Sequence, residues 1–187
     1  MKKEFDIHRA KNTAHPLLAR YGVDAKPAEH EKLDIWRSNF KGVEFLDEGT
    51  NFLVTGAIDD LWINSKGEFI VVDYKATSKF EAVIELDQKW HDGYKRQMEV
   101  YQWLIRQNGH KVSSVGYFVY ANGKKDREAF DAKLEFDLTL IPYEGKTEWI
   151  APTLTKIKKC LDGSFPKPSE TCEYCAWQKA ITRALEV

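Results

Sequence analysis

The stretch that decides the fold is GAIDDLWINSKGEFIVVDYK, residues 56–75. Two apolar runs flank the polar segment 64–67, which ends in glycine, and this order is typical of a β-hairpin. If the turn centres on Lys66, residues whose numbers sum to 132 lie opposite each other. Asp59 and Asp73 meet this condition, so we expect their carboxylates on one face of the hairpin, roughly 5 Å apart.

Two like charges at that spacing destabilise a hairpin unless positive charge offsets them. Lys75 follows Asp73 by two residues and therefore points to the same face of its strand. A divalent cation is the second expected source of positive charge. Asp60 is an alternative to Asp59, because a turn shifted by half a residue would place Asp60 opposite Asp73.

Length and composition indicate one folded domain over residues 1–187. Hydrophobic residues make up 43% of the chain and include six tryptophans, which excludes a disordered protein. The net charge of -1 gives no global attraction to nucleic acid, so a phosphate backbone must be held by a local cluster or through a metal. The chain shows no signal peptide and no apolar run near the ~20 residues that cross a bilayer, so we expect a soluble, cytoplasmic protein without membrane contact.

Hydrophobic periodicity predicts the remaining elements. Residues 1–28 have no assigned structure beyond a short helix closed by Gly22, and Lys26-Pro27 reads as a loop. The expected helices are 29–40, 91–107, 147–161 and a short one in the tail 162–187; the expected strands are 43–46, 52–63, 112–120 and 132–141, with a loop at 77–89 and a turn at 121–124. This order predicts a mixed α/β layer, or α+β mixture, rather than a doubly wound sheet.

The helix at 91–107 brings two polar groups toward the hairpin. Gln97 and Tyr101 are four residues apart and therefore share one helix face. Core packing on the apolar stripe of this helix is the alternative role for Tyr101.

The acidic pair predicts a metal site. Asp59, Asp73 and the backbone carbonyl of Tyr74 form an all-oxygen set suited to Mg²⁺ or Mn²⁺, which keep several waters and bind substrate phosphates. Such a metal lowers the pKa of a bound water and stabilises charge on phosphoryl oxygens. Lys75 is no ligand while protonated, but its ammonium can orient the attacking water or neutralise the phosphate. Together these groups indicate phosphodiester hydrolysis.

In order and spacing, Gly56-x-x-Asp59, Asp73-Tyr74-Lys75 and Gln97-x-x-x-Tyr101 resemble the PD-(D/E)XK nuclease superfamily, in particular its RecB-like branch, which includes helicase-associated nuclease domains and the CRISPR adaptation nucleases. The resemblance implies a restriction-endonuclease-like core with a central mixed sheet flanked by helices. It also implies that Asp59, Asp73 and Lys75 form a metal-dependent active site, and that Gln97 and Tyr101 position the lysine and the DNA strand.

Two departures from the branch are visible. Its members often carry a histidine on a helix upstream of the first acid, whereas here only His15 and His30 stand there, and both read as surface or cap residues. Glu44 is an alternative accessory ligand.

The second departure concerns the cysteines. Cys172-x-x-Cys175 resembles the start of an iron-sulfur pattern, but position 181 is isoleucine and only Cys160 stands elsewhere, so four thiolates cannot be assembled. We expect no iron-sulfur cluster, and a pair of small buried thiols is favoured over a zinc site with Cys160 and a histidine.

The resemblance favours a nuclease that cuts single-stranded DNA or DNA ends, such as an exonuclease in DNA repair, recombination or phage-type DNA processing, with a helicase or recombination protein as partner. The alternatives are a catalytically inactive DNA-binding or assembly module that keeps the fold, and a salt-bridge cluster without a ligand. Lysine-rich clusters at 124–127 and 156–159 are typical of a solvated face, with a DNA-backbone track as the alternative.

Overall fold

The protein is built around a curled, mixed β-sheet with helices packed on both faces. A computed structural model describes residues 1–129 and 131–185. The helices are α1 (Lys2–Ala10), α2 (Pro16–Arg20), α3 (Leu33–Trp36), α4 (Asp92–Gln107), α5 (Ile150–Leu161) and α6 (Glu173–Leu185). The strands are β1 (Ala25–Pro27), β2 (Val43–Asp47), β3 (Phe52–Gly56), β4 (Asp60–Asn64), β5 (Phe69–Thr77), β6 (Val115–Gly123) and β7 (Phe136–Glu144).

These elements divide into two compact units, Met1–Ile150 and Ala151–Val187, and the sheet lies in the first. The expectation of a single domain over the whole chain stays a prediction. None of the helices in the described residues is long and apolar enough to cross a membrane.

The main sheet has the strand order β1-β4-β5-β6-β7, while β2 and β3 form a separate two-stranded ribbon. Strands β5 and β6 run parallel, and the other neighbours are antiparallel. Because parallel strands need a crossover connection, α4 lies between β5 and β6 in the chain. This arrangement confirms the predicted mixed α/β layer.

The hairpin at the centre of the sheet has the register that the sequence predicts. Asp60 lies opposite Val72, so paired residue numbers sum to 132. Asn64 makes the turn by accepting backbone hydrogen bonds from Lys66 and Glu68 through its side-chain oxygen, at 3.0 and 2.9 Å. Gly67 in this turn has a φ of 71°, a left-handed conformation that favours glycine.

The pleat of β5 sends alternate side chains to the two helical layers. Ile70 and Val72 face the cluster that Phe5 of α1 and Leu18 of α2 complete. Val71 points to the opposite face by alternation and lies beside Gly116 of β6. Helix α4 packs on that face, because a Cβ at Gly116 would come within 2.4 Å of the Met98 sulfur. By the same alternation, Asp73 and Lys75 share the α4 face of the sheet.

A buried ionic network joins α1 to the opposite face. Arg9 pairs with the carboxylate of Asp60, which has no exposed surface, and also donates to backbone carbonyls, including that of Leu61 at 3.2 Å. The other Asp60 oxygen accepts from the hydroxyl of Tyr74 at 2.6 Å. Burial, followed by the Asp60 anion, raises the pKa of Tyr74, so this hydroxyl stays protonated and donates.

The predicted helix at 29–40 is wrong in extent. Only α3 is helical, because the Trp36 carbonyl accepts from the Ile58 amide instead of continuing the helix, at 3.0 Å. Phe40, predicted on the apolar face, is fully exposed. The predicted strand at 52–63 is also wrong, since β3 ends at Gly56 and β4 starts in the other sheet at Asp60.

Three smaller predictions also need correction. Lys26-Pro27 belongs to edge strand β1, where proline is tolerated because its missing amide need not pair. The predicted turn at 121–124 continues strand β6, whose Asn122 lies opposite Asp137 in β7. The helix predicted to begin at residue 147 begins at Ile150. The helix at 91–107 and the loop after β5 are confirmed.

We expect Asp60→Asn to lower the free energy of unfolding by about 3 kcal/mol, because it removes the buried counter-charge of the Arg9 guanidinium, which keeps only the more exposed Asp6 at 3.2 Å. Urea denaturation at pH 7 measures this loss. The double variant Arg9→Met/Asp60→Asn removes both charges and should recover much of it. A loss below about 1 kcal/mol for the single variant would contradict the structural role assigned to this pair.

Candidate active site

Asp59 and Asp73 lie at the end of the central hairpin, where the paired part of β4 begins. The hairpin register, continued by one residue, places Asp59 opposite Asp73. Asp73 is buried, with 3% of its surface exposed, whereas the Asp59 side chain is 29% exposed. The Asp59 carboxylate accepts a hydrogen bond from the Tyr74 amide at 2.9 Å, which fixes it against β5.

Lys75 links the hairpin to α4. Its ammonium lies 2.7 Å from the Asp73 carboxylate and donates to the Gln97 side-chain oxygen at 3.0 Å. The Gln97 amide nitrogen in turn donates to the Tyr101 hydroxyl at 2.9 Å. The ring of Tyr94 lies 4.2 Å from the ammonium and adds a cation–π contact. The predicted site residues on β5 and α4 therefore form one continuous chain of contacts.

The ring of Tyr101 also explains the glycine three residues before Asp59. A Cβ at Gly56 would come within 2.8 Å of the Tyr101 ring and 3.1 Å of Leu104. Tyr101 is buried, so the core-packing role considered for it and its hydrogen bond to Gln97 exist together. The contact holds α4 against the end of β3, close to the start of the segment that carries Asp59.

Burial dominates the electrostatics of the site. Desolvation raises the pKa of Asp73, the negative charge of Asp59 raises it further, and the Lys75 ammonium opposes both effects. Burial likewise raises the pKa of Tyr101, with smaller contributions from the two carboxylates. Burial, Tyr94 and Asp73 raise the pKa of Tyr120 on β6 to about 12. Both hydroxyls therefore stay protonated at neutral pH.

Lys2 of α1 is a site contact that the sequence pattern does not reveal. Its ammonium lies 2.9 Å from the Asp59 oxygen that the Tyr74 amide leaves free. Each of the two carboxylates thus carries one ammonium, Lys2 on Asp59 and Lys75 on Asp73. The Lys2 side chain is 43% exposed, whereas that of Lys75 is 16% exposed, so the first pair is open to exchange with solvent cations.

The other candidate ligands lie elsewhere. Asp60 is engaged by Arg9 on the far face of the sheet, which leaves Asp59 as the acid beside Asp73. His15 accepts from the Leu17 amide and stacks on Phe5, and His30 accepts from the Lys32 amide, so both cap short turns as expected.

Glu44 is exposed on β2. Within the residues that the structure describes, no three His, Cys, Asp or Glu side chains form a group that could hold a metal ion. Glu44 therefore does not join the acidic pair as a third carboxylate.

The cysteines are not buried, contrary to the prediction of small buried thiols. Cys160 is exposed, and Cys172 and Cys175, in the second unit, are half-exposed free thiols. Hydrogen bonds from Cys175 lower the pKa of Cys172. Three cysteines in the whole sequence cannot supply the four thiolates of an iron-sulfur cluster.

A family model of the PD-(D/E)XK nuclease superfamily matches residues 4–180. The chain belongs to this superfamily. The mixed sheet flanked by helices is consistent with its restriction-endonuclease-like fold, as the sequence motifs predicted. No curated protein and no solved structure matches the chain significantly. Membership in the PD-(D/E)XK superfamily implies a nuclease that acts on DNA with the help of divalent metal ions.

The residues present fit such an ion. Asp59 and Asp73 supply two carboxylates that already attract ammonium groups, and the Tyr74 amide points at Asp59. In an extended strand the carbonyl of a residue points to the same edge as its amide, so the Tyr74 carbonyl faces that edge too. One or two carboxylates with waters and substrate phosphates is the usual ligand set of Mg²⁺.

Two residues that contact the site, Tyr94 and Lys2, were not predicted from the sequence, for different reasons. Tyr94 fits the apolar stripe of α4, although its position three residues before Gln97 is a signal that both share a face. Lys2 carries no signal in the sequence, because a lysine near a chain terminus resembles any solvated lysine. Its contact with Asp59 depends on how α1 packs.

Relative to the wild type, Asp73→Asn should gain stability as pH rises from 4 to 7, while the loss of the Lys75 counter-charge is common to every pH in this range. The pKa of Asp73 is raised in the folded state, so its contribution to stability is fully present below the unfolded pKa near 3.8 and is lost as pH rises through the folded pKa. At neutral pH the ionised carboxylate therefore costs stability relative to its protonated form, whereas asparagine stays neutral. Urea denaturation at several pH values should show this relative gain shrinking as pH falls.

The exposed Asp34→Asn is the matched control for this experiment, since it removes one carboxylate outside the site. A difference between Asp73→Asn and wild type that stays constant from pH 7 to pH 4 would contradict the prediction.

Lys2→Gln should strengthen metal binding, because the Lys2 ammonium competes for an oxygen of Asp59. An exposed ion pair contributes roughly 0.2–1 kcal/mol, so we expect the Kd for Mn²⁺ to fall about 1.4- to fivefold. Isothermal titration calorimetry measures it. Lys3→Gln removes the same charge from the neighbouring exposed position, and equal affinities of the two variants would count against the competition.

Proposed function

We propose that the protein is a Mg²⁺- or Mn²⁺-dependent deoxyribonuclease of the RecB-like branch, with Asp59, Asp73, Lys75, Gln97 and Tyr101 as its active-site residues. The observation that carries this proposal is the unbroken series of contacts from the acidic pair through Lys75 to the helix. Charge neutralisation alone would require only Lys75 beside the acidic pair, so a salt-bridge cluster without a ligand does not account for the hydrogen bonds of Gln97 and Tyr101.

The acidic pair has the role of holding the metal. Asp59, Asp73 and the Tyr74 carbonyl are the proposed ligands, with Mg²⁺ or Mn²⁺ as the ion. The bound ion supplies charge stabilisation on the phosphoryl oxygens and lowers the pKa of a bound water. Because burial raises the pKa of Asp73, binding of a cation to its ionised form strengthens as pH rises through that pKa.

Lys75 has the role of placing positive charge beside the scissile phosphate. Asp73, Gln97 and the ring of Tyr94 hold its ammonium from three directions. An ammonium fixed in this way is preorganised to orient the attacking water or to neutralise charge that develops on the phosphate. Gln97 and Tyr101 act through Lys75 and are positioning residues.

The proposed substrate is single-stranded DNA or a DNA end, which suits an exonuclease in DNA repair, recombination or phage-type DNA processing. The net charge of -1 favours binding of a flexible single strand at a local basic surface rather than binding of a long duplex across the protein. A helicase or recombination protein that delivers unwound strands is the partner we propose.

The test is cleavage of labelled single-stranded and duplex DNA with Mg²⁺ or Mn²⁺. We expect Lys75→Met to lower the cleavage rate about 10²- to 10³-fold, since it removes one charge aimed at the transition state. Asp73→Asn should lose at least as much, Gln97→Leu less, and Tyr101→Phe least, because the last removes only the partner of Gln97. Chelation of the metal should abolish cleavage in the wild type.

Lys66→Met and Asp34→Asn are the controls, as each makes the same chemical change at an exposed position outside the site. A circular single strand that resists cleavage would support a requirement for ends. DNA binding without cleavage in every variant and with either metal would instead support the catalytically inactive module. Rates for Lys75→Met equal to those for Lys66→Met would overturn the active-site assignment.

A further inference from the structure

A pair of aromatic rings connects Lys75 to a second lysine, Lys79. The Lys75 ammonium lies over Tyr94, whose ring meets that of Trp90 edge-on at 5.6 Å. Trp90 in turn lies under the Lys79 ammonium at 4.4 Å. Lys75 and Lys79 are therefore connected through two aromatic side chains, Trp90 just before α4 and Tyr94 in its first turn.

Lys79 lines a cavity of about 210 Å³ at the ends of β5 and β6. The cavity is walled by the cations of Lys79, Lys124, Lys125 and Arg127 and by the carboxylates of Asp126 and Asp137. Four positive against two negative charges make it basic in a chain whose net charge is -1. Carboxyl ends of parallel strands, such as β5 and β6, are frequent ligand sites in α/β sheets.

The backbone of Lys79 is held in place. Its amide donates to the side-chain oxygen of Asn122 at 2.8 Å, and its carbonyl accepts from the Asn122 side-chain nitrogen at 3.0 Å. The hydroxyl of Ser78 donates to the Gly123 carbonyl at 3.1 Å. These bonds fasten the start of the loop after β5 to the end of β6, so the cavity wall is a built feature.

Two of the four cations are available to an anionic ligand. Lys124 pairs with Asp137 at 3.0 Å, and Arg127 pairs with Glu135. Across residues 1–129 and 131–185, no carboxylate forms an ion pair with Lys79 or Lys125. These two ammonium groups contact the rings of Trp90 and Phe80 instead.

We propose that this basic cavity, together with Phe80 and Trp90, binds the single strand of DNA that continues from the scissile phosphate. The proposal rests on the proposed function, since it takes Lys75 as the cleavage point. Phe80 is 89% exposed and Trp90 47% exposed, so part of each ring is open to solvent beside its lysine. Unpaired bases stack on such rings while phosphates contact the lysines, and paired bases in a duplex cannot do so.

The spacing suits a short strand. Lys79 follows Lys75 by four residues, which is about 13 Å along an extended chain. That length is roughly four nucleotides at the 3.4 Å spacing of a stacked strand, and fewer in an extended one. The cavity therefore lies within one short oligonucleotide of the active site.

Binding of a fluorescein-labelled 15-nucleotide thymidine strand, followed by anisotropy in EDTA, tests the proposal without catalysis. Phe80→Ala should weaken binding at least fivefold, because it removes one stacking ring. Lys79→Ala should weaken it and reduce the steepness of log K against log salt by about 0.7, the value for one lost phosphate contact on a single strand.

Matched controls exist for both variants. Phe40→Ala removes a phenyl ring that is also largely exposed, from another loop, and Lys66→Ala removes a lysine from the turn at the opposite end of β5. Both should bind like the wild type. A duplex of equal length should bind more weakly than the single strand and should be insensitive to Phe80→Ala.

A small substrate separates this proposal from the proposed function. The p-nitrophenyl ester of thymidine 5′-monophosphate reaches only the active site, so the Phe80 and Lys79 variants should hydrolyse it at the wild-type rate with Mn²⁺. Failure of the wild type to cleave any substrate would refute the proposed function. The anisotropy measurement in EDTA would still test whether the cavity binds single-stranded DNA. Variants that bind like their controls, or equal sensitivity of duplex and single strand to Phe80→Ala, would overturn the cavity proposal.

Discussion

The site depends on the register of a single hairpin. Because Asp60 lies opposite Val72, the adjacent acids Asp59 and Asp60 serve opposite faces of the sheet. Asp60 is neutralised inside the protein by Arg9, while Asp59 comes to lie beside Asp73. A slip of one residue would exchange these roles, because it moves every side chain of a strand to the other face. The slipped hairpin would bury a carboxylate that Arg9 does not neutralise, and the α4 face would lose its pair of acids. The buried pair of Arg9 and Asp60 therefore stabilises the register that places Asp59 beside Asp73.

Sequence reasoning succeeded where a structure is set by local period. The hairpin follows from two apolar runs around a turn with glycine, and the helix at 91–107 follows from a sustained apolar stripe. It failed where a non-local contact ends an element. The single strand expected at 52–63 breaks because Gly56 packs under Tyr101, 45 positions later, and the Ile58 amide bonds to Trp36. Residues 29–40 carry helical spacing, yet that same bond takes the carbonyl a longer helix would need.

The same division applies to the candidate site. Pairs that lie two apart on a strand or four apart on a helix were predictable, and Asp73 with Lys75 and Gln97 with Tyr101 are in contact. The hydrogen bond between Lys75 and Gln97 joins these two pairs. It requires α4 to pack on the sheet with Gln97 at the level of Lys75, and no local sequence pattern specifies that position. The contact of Lys2 with Asp59 spans 57 positions and depends on how α1 docks through its buried phenyl ring.

Two cations of helix α1, Arg9 and Lys2, therefore differ in how strongly they are held. The Arg9 side chain is 10% exposed and its partner Asp60 is fully buried, so separating them would leave two desolvated charges. Lys2 lies one helix end away, is 43% exposed, and can leave Asp59 for water at little cost. The buried pair of Arg9 and Asp60 stabilises the fold, whereas the exposed pair of Lys2 and Asp59 lies where we propose that a metal cation binds. A buried Asp73 whose pKa is raised completes this logic, because its ionised form gains most from a positive ligand.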